Sequence, residues 1–292
     1  MTPSCLNCKL KTKTSSEART TVVRYGSFTR KSDQAIIQRF RCQRCLKGFS
    51  QATFSDCYRQ KKRPMNAHVF RLLVGGFSQR RTAFELGLNR KTVVRKLILM
   101  GIHAQQVLYK LNQCYSKSTT IEFDDLETFE HSKCKPLSVI MAVEHKTRRI
   151  LGFQVSSMSA KGKLAHIARK KYGHRKDERK LGRKKLFIDL KTLAEEFVIL
   201  KSDESPHYPQ DVRRFFPNSS HQTFKGRRGC VVGQGELKCG GFDPLFSLNH
   251  TFAMLRANIN RLFRRTWNTT KKKERLGYHI ALYALYHNMV LI

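Results

Sequence analysis

The apolar positions change period along the chain. Between residues 65 and 105 they recur at helical spacing, at Val69, Leu72 and Leu73 and then at Ala83, Leu86, Val93, Val94 and Leu97. The stretch 78–97 predicts two short helices, with Ser78 and Asn89 as N-caps and Gly87 as the left-handed residue of the turn between them. Beyond residue 118 the pattern becomes strand-like. Residues 119–124 alternate, 136–144 form an apolar run, 145–149 read as a turn, and 150–155 form a third run. Together these predict a three-stranded meander whose first strand ends at Asp124. A short apolar strand at 197–200 leads into Lys201, Ser202 and Asp203. A further strand is expected at 220–224, a helix over 245–265 and a last helix over 273–292. The whole predicts an α+β multidomain chain divided into segments 1–60, 61–112 and 113–292.

The first segment is defined by cysteine spacing. Nine cysteines are an odd number in a chain of 292 residues, too long to need disulfide staples. Four of them form two C-x-x-C pairs, Cys5 with Cys8 and Cys42 with Cys45. Each pair puts two thiolates on one tight turn, and two facing turns make the tetrahedral four-sulfur cage that Zn2+ prefers. The spacing predicts a small zinc ribbon with a long hairpin, including Val22 and Tyr25, between the two turns. Cys57, Cys114, Cys134, Cys230 and Cys239 lack a matching spacing and read as buried thiols.

Charge then changes the picture. The chain carries 57 Lys+Arg against 21 Asp+Glu, a net +36, which excludes most metabolic enzymes, while 40% hydrophobic residues exclude a disordered basic tail. No apolar run approaches a bilayer span, and the opening MTPSCLNCKL lacks the apolar region of a signal peptide, so a cytoplasmic, nucleoid-associated protein without membrane partners is expected. Double-stranded DNA is the expected partner, because each neutralised phosphate releases counterions. In that setting the two short helices read as a helix-turn-helix that would present Arg90, Lys91, Thr92 and Arg95 to DNA. The plain alternative is a basic helical hairpin that only packs.

In a chain so poor in acid, residues 121–130 hold Glu122, Asp124, Asp125, Glu127 and Glu130 with no Lys or Arg among them. They are either a solvated acidic turn or part of a site. The placement of Asp124 and Asp203 at strand ends, with helices between and after, favours a ribonuclease H-like mixed α/β catalytic domain in which the first and fourth strands adjoin. Such a carboxylate pair suits two Mg2+ (or Mn2+), hard cations that take oxygen ligands and serve phosphodiester chemistry. The helix expected at 245–265 contains no acid; Asn249 offers a neutral carbonyl oxygen, and Arg256, two turns along the same face, a phosphate contact. Asn249 could equally cap its own helix, and Glu236 and Asp243 just upstream remain alternative ligands. Trp267, the only tryptophan, reads as a helix-end core anchor or as a stacking partner for a base.

The doubled C-x-x-C before a helix-turn-helix, the phrases IEFDDLETF and KSDESPHYP, and LNHTFAMLRANINRLFRRTW together resemble bacterial insertion-sequence transposases of the small zinc-ribbon type. That family carries a catalytic set of aspartate, aspartate and glutamate or asparagine. The resemblance spans nearly the whole chain. It implies Asp124, Asp203 and Asn249 as the catalytic set, with Arg256 as the basic residue seven positions later. It also implies structural Zn2+, catalytic Mg2+ or Mn2+, element ends and target DNA as substrates, and a homo-oligomer assembled on DNA. The alternative is a catalytically inactive DNA-binding regulator derived from such an enzyme.

Overall fold

A computed structural model describes residues 3–9, 22–226, 241–263 and 267–292. The chain divides into two compact units, Met1–Asn66 and Ala67–Ile292. In the first, a short helix α1 (Leu6–Lys9) is followed by a three-stranded antiparallel sheet of β1 (Val22–Thr29), β2 (Ile36–Cys42) and β3 (Gly48–Ser50) in that order. Its core is small: Cys5, Cys8, Val22, Phe40 and Cys42, with Cys45 and Phe49 packed against them.

The second unit opens with three helices, α2 (Asn66–Val74), α3 (Gln79–Glu85) and α4 (Arg90–Gln113). Ser78 Oγ accepts the Arg81 N–H at 3.2 Å and Asn89 Oδ1 accepts the Lys91 N–H at 2.8 Å, so both expected caps are formed. Gly87, at φ +57°, makes the left-handed turn. The second helix is not short: α4 runs 24 residues, because its later turns pack on the last helix of the chain. At that crossing a Cβ on Gly101 would lie 2.4 Å from Tyr278 Cβ, so only glycine lets the two helices approach.

A five-stranded mixed sheet follows, built from β4 (Ser118–Phe129), β5 (Pro136–Glu144), β6 (Ile150–Ser157), β7 (Ala194–Asp203) and β8 (Ser220–Phe224). Its order is β6-β5-β4-β7-β8, with the first three antiparallel and β7 and β8 parallel to β4. The basic stretch between β6 and β7 folds into α5 (Leu164–Tyr172) and α6 (Arg179–Leu190), and α7 (Tyr208–Phe215) links β7 to β8. α6 and α7 cover one sheet face, burying Leu186, Phe187, Tyr208 and Val212 against Ile121, Phe123, Val198 and Leu200. α8 (Phe246–Asn258) packs on β4 and β5, and α9 (Lys273–Tyr286) packs on β6 and α4. No helix of the described residues is long and apolar enough to cross a membrane.

Two expectations change. β4 does not end at Asp124 but continues to Phe129, paired with β5 throughout. The acids of this run are compatible with a strand because distant cations meet them: Lys161 Nζ lies 3.0 Å from Glu127 and Arg175 Nη2 3.0 Å from Glu130. The remaining cysteines are not uniformly buried either. Cys114 is exposed, Cys57 and Cys134 are half-buried, and Cys230 and Cys239 lie outside the described residues.

Candidate functional site

The first unit gathers Cys5, Cys8, Cys42 and Cys45 so that their sulfurs all lie within 4.8 Å of one another. Sγ separations are 3.6 Å for Cys5 and Cys45 and 3.8 Å for Cys8 and Cys42. A tetrahedron with Zn–S bonds of about 2.3 Å has edges of roughly 3.8 Å, so the cage fits a metal ion such as zinc. The turn after β2 is held by the Cys42 N–H donating to Lys47 O at 3.0 Å and the Leu46 N–H to Cys42 O at 2.8 Å. Crowding splits the thiols. Desolvation and competition from the other sulfurs push Cys8 up to about 12, while the Lys47 backbone N–H pulls Cys45 down to about 6. A cation that accepts four sulfurs removes this conflict.

The carboxylates are set by the parallel register of β4 and β7, in which Ile121 faces Leu200 and Glu122 faces Lys201. Two residues further on, strand alternation brings Asp124 beside Asp203, on the sheet face opposite the α6 and α7 core. Burial and the nearby Asp203 charge push the Asp124 carboxyl up to about 7. Asp203 is raised as well, by burial and by repulsion from Asp125 and Glu204. Tyr208 donates its hydroxyl to Asp124 Oδ1 at 3.1 Å and Asp125 Oδ2 at 3.0 Å, and Ser138 donates to Asp125 Oδ1. Asp203 Oδ1 accepts the Ser205 N–H at 3.0 Å. Asp124 and Asp203 thus lie on neighbouring central strands with Asp125 beside them, and among the described residues a tyrosine, a serine and backbone N–H donors meet them. Among the described residues the group close enough to hold a metal ion is the four-cysteine cage.

The first turn of α8 is fixed by a residue that stood out in the sequence only as one acid of the run 121–130. Glu122 is fully buried; its Oε2 accepts the Leu248 N–H at 2.9 Å and its Oε1 meets His145 Nδ1. His145 Nε2 in turn lies 3.5 Å from Lys201 Nζ. The available signal was its position two residues before Asp124 on a strand, hence on the same face. Ser247 Oγ, accepting the Lys146 N–H at 2.9 Å, adds a second tie to the β5–β6 turn.

Asn249 follows directly on α8 and is exposed. Its Nδ2 donates to Asp243 Oδ2 at 2.9 Å, while Asp243 Oδ1 accepts the Leu245 N–H at 3.0 Å. Two of the three alternative ligands are therefore one hydrogen-bonded pair; Glu236 lies outside the described residues. Arg256 is half-buried two turns along α8. Arg90, Lys91 and Arg95 are exposed at the start of α4 and Thr92 is half-buried there. Trp267 is 72% exposed rather than a core anchor. His287 and Asn288 serve packing: His287 Nε2 lies 3.0 Å from Arg148 O, and Asn288 bonds both backbone groups of Ile150. Comparison with protein-family models and with curated proteins finds no match to this chain.

Proposed function

We propose that this chain is a metal-dependent DNA transposase that binds the ends of an insertion sequence, hydrolyses a strand there and joins the freed 3′ hydroxyl to target DNA. The observation that carries the reading is the pair Asp124 and Asp203 on adjacent parallel strands, in a mixed sheet of order β6-β5-β4-β7-β8, which supports the expectation of a ribonuclease H-like domain. Support comes from a net +36 charge and from the cap-and-turn geometry of α3 and α4, which presents Arg90, Lys91 and Arg95 as in a helix-turn-helix.

In this reading Asp124, Asp203 and the amide oxygen of Asn249 would hold Mg2+ or Mn2+. When bound, such ions lower the pKa of water and offset charge on the attacking and departing oxygens of a phosphodiester. Asp243 takes one Asn249 amide hydrogen and so leaves the carbonyl oxygen for ligation. Tyr208 steers Asp124 and Asp125 by sharing its hydroxyl between them. Glu122 keeps α8, and with it Asn249, on the sheet face that carries both aspartates. Arg256 holds a phosphate of the bound strand. With asparagine in the third position the set carries two formal negative charges, which weakens retention of a second ion. Joining two element ends requires at least two chains on the DNA.

The test is a nicking assay on DNA carrying the gene's own flanks with Mg2+ or Mn2+. Cuts at defined ends that Asp124→Ala and Asp203→Ala both abolish are expected. Tight, salt-sensitive binding without any metal-dependent cut, equal in the wild type and both variants, would instead identify a DNA-binding regulator.

A further inference from the structure

The second unit contains a cleft of about 620 Å³ beside the start of α4, a volume in the range of small-molecule sites. Arg80, Arg90 and Lys271, all exposed, and the indole of Trp267 line it. Deeper in the wall are Gln79 and His279. Exposed apolar side chains are by themselves ordinary. This one is the only tryptophan of the chain, and it lines the cleft together with three exposed cations.

The polar wall narrows the chemistry of what the cleft takes. Gln79 Oε1 accepts Arg261 Nη2 at 3.0 Å, which fixes the amide and leaves Nε2 buried with no partner among the described residues. His279, 1% exposed, meets Leu73 O through Nε2 at 2.8 Å. A carbonyl only accepts, so Nε2 carries the hydrogen and Nδ1 is an acceptor, likewise buried and unmet among the described residues. Burial and the Arg261 charge depress His279 to about 4, which keeps the ring neutral. The wall therefore lacks both an acceptor for Gln79 and a donor for His279. A phosphate diester only accepts and cannot satisfy both. A nucleobase edge carries donors and acceptors side by side, and its flat face stacks on an indole.

We propose that this cleft holds one unpaired nucleobase of a DNA strand, stacked on Trp267 with its edge toward Gln79 and His279 and the flanking phosphates on Arg80, Arg90 and Lys271. A paired base inside a duplex is covered on both faces by its neighbours, so the site selects a base that has left the stack. The proposal rests on the reading of the chain as a DNA-binding protein and adds a strand-opening or strand-holding role close to the start of α4.

Because Trp267 is unique, its fluorescence reports this site alone. The full zinc-loaded chain is titrated with three labelled DNAs of one sequence: a paired duplex, the same duplex with one bulged base, and the single strand. Anisotropy of the label reads total binding. Bulged and single-stranded DNA are expected to quench the tryptophan strongly and the paired duplex weakly. Trp267→Ala is expected to weaken binding of the bulged duplex about tenfold relative to the paired one, in line with the worth of one base–aromatic stack, and Trp267→Phe to restore most of it. If the paired duplex binds but quenching is the same for all three DNAs, or Trp267→Ala weakens all three equally, this inference fails while the DNA-binding reading stands. If none of the three binds, both fail.

Discussion

Replacing Cys42 with serine tests what holds the first unit together. Cys42 is fully buried, with its sulfur 3.8 Å from that of Cys8, at one corner of the four-sulfur cage. Apart from cysteines, the buried apolar side chains among the described residues of this unit are Val22, Ile37 and Phe40. At about 1.5 to 3 kcal/mol each, their burial supplies less than roughly 10 kcal/mol. A structural four-ligand zinc site supplies about 10 to 16 kcal/mol at neutral pH. Bound at the cage, zinc would therefore be the larger part of this core, and losing one ligand would remove more than the apolar contacts provide. Cys42→Ser, or a strong chelator on the wild type, should unfold β1 and β2 while the five-stranded sheet persists. Hydrogen exchange read by mass spectrometry would show residues 22–42 losing protection and residues 121–143 keeping it, and calorimetry would show one of two transitions moving with zinc. Unchanged protection of residues 22–42 in the chelator, or one zinc per chain retained by Cys42→Ser, would refute the reasoning.

Three further outcomes are expected. Asp124, raised to about 7, is an acid whose folded form favours the proton; its cost to stability sets in above the ordinary carboxyl value near 3.8 and is complete once pH passes about 7. Without divalent ions, Asp124→Asn should therefore melt higher than the wild type at pH 8, with the advantage vanishing toward pH 4, and wild-type Mn2+ affinity should climb as pH rises through about 7. Glu122→Ala leaves the Leu248 N–H and His145 Nδ1 without their Glu122 partner and should cost about 3 kcal/mol in urea denaturation, with Glu122→Gln losing less. Gly101→Ala should gain about 1 kcal/mol of helix propensity and lose more, because its Cβ would sit 2.8 Å from Tyr278 Cα; the measured sign is a lower melting temperature of the second unit.

Local chemistry was legible in the sequence wherever one signal sufficed. The two C-x-x-C pairs converge as their spacing suggests, Ser78 and Asn89 cap as their type and position suggest, and residues 220–224 form the expected strand. Failures arise where a distant group overrides the local rule. Acids at 125, 127 and 130 argued for the end of a strand, but Ser138, Lys161 and Arg175 meet them from elsewhere in the chain. The full length of α4 went beyond the two short helices expected over 78–97 because packing on α9, far along the chain, sustains it. In the candidate site the two aspartates were readable from their strands. The roles of Glu122 and Tyr208 were not, because each depends on a partner more than 80 residues away.

The unbroken run of α4 has a mechanical consequence. Its 24 residues make a rod about 36 Å long, close to one turn of a DNA duplex. One end carries the exposed Arg90, Lys91 and Arg95; at the other, Asn112 donates to Ile150 O and Leu151 O at 3.0 Å, pinning the rod to the edge of the sheet. A rod without a hinge behaves as a gauge. Whatever Arg90 contacts is held at a set distance from the strand edge at Ile150.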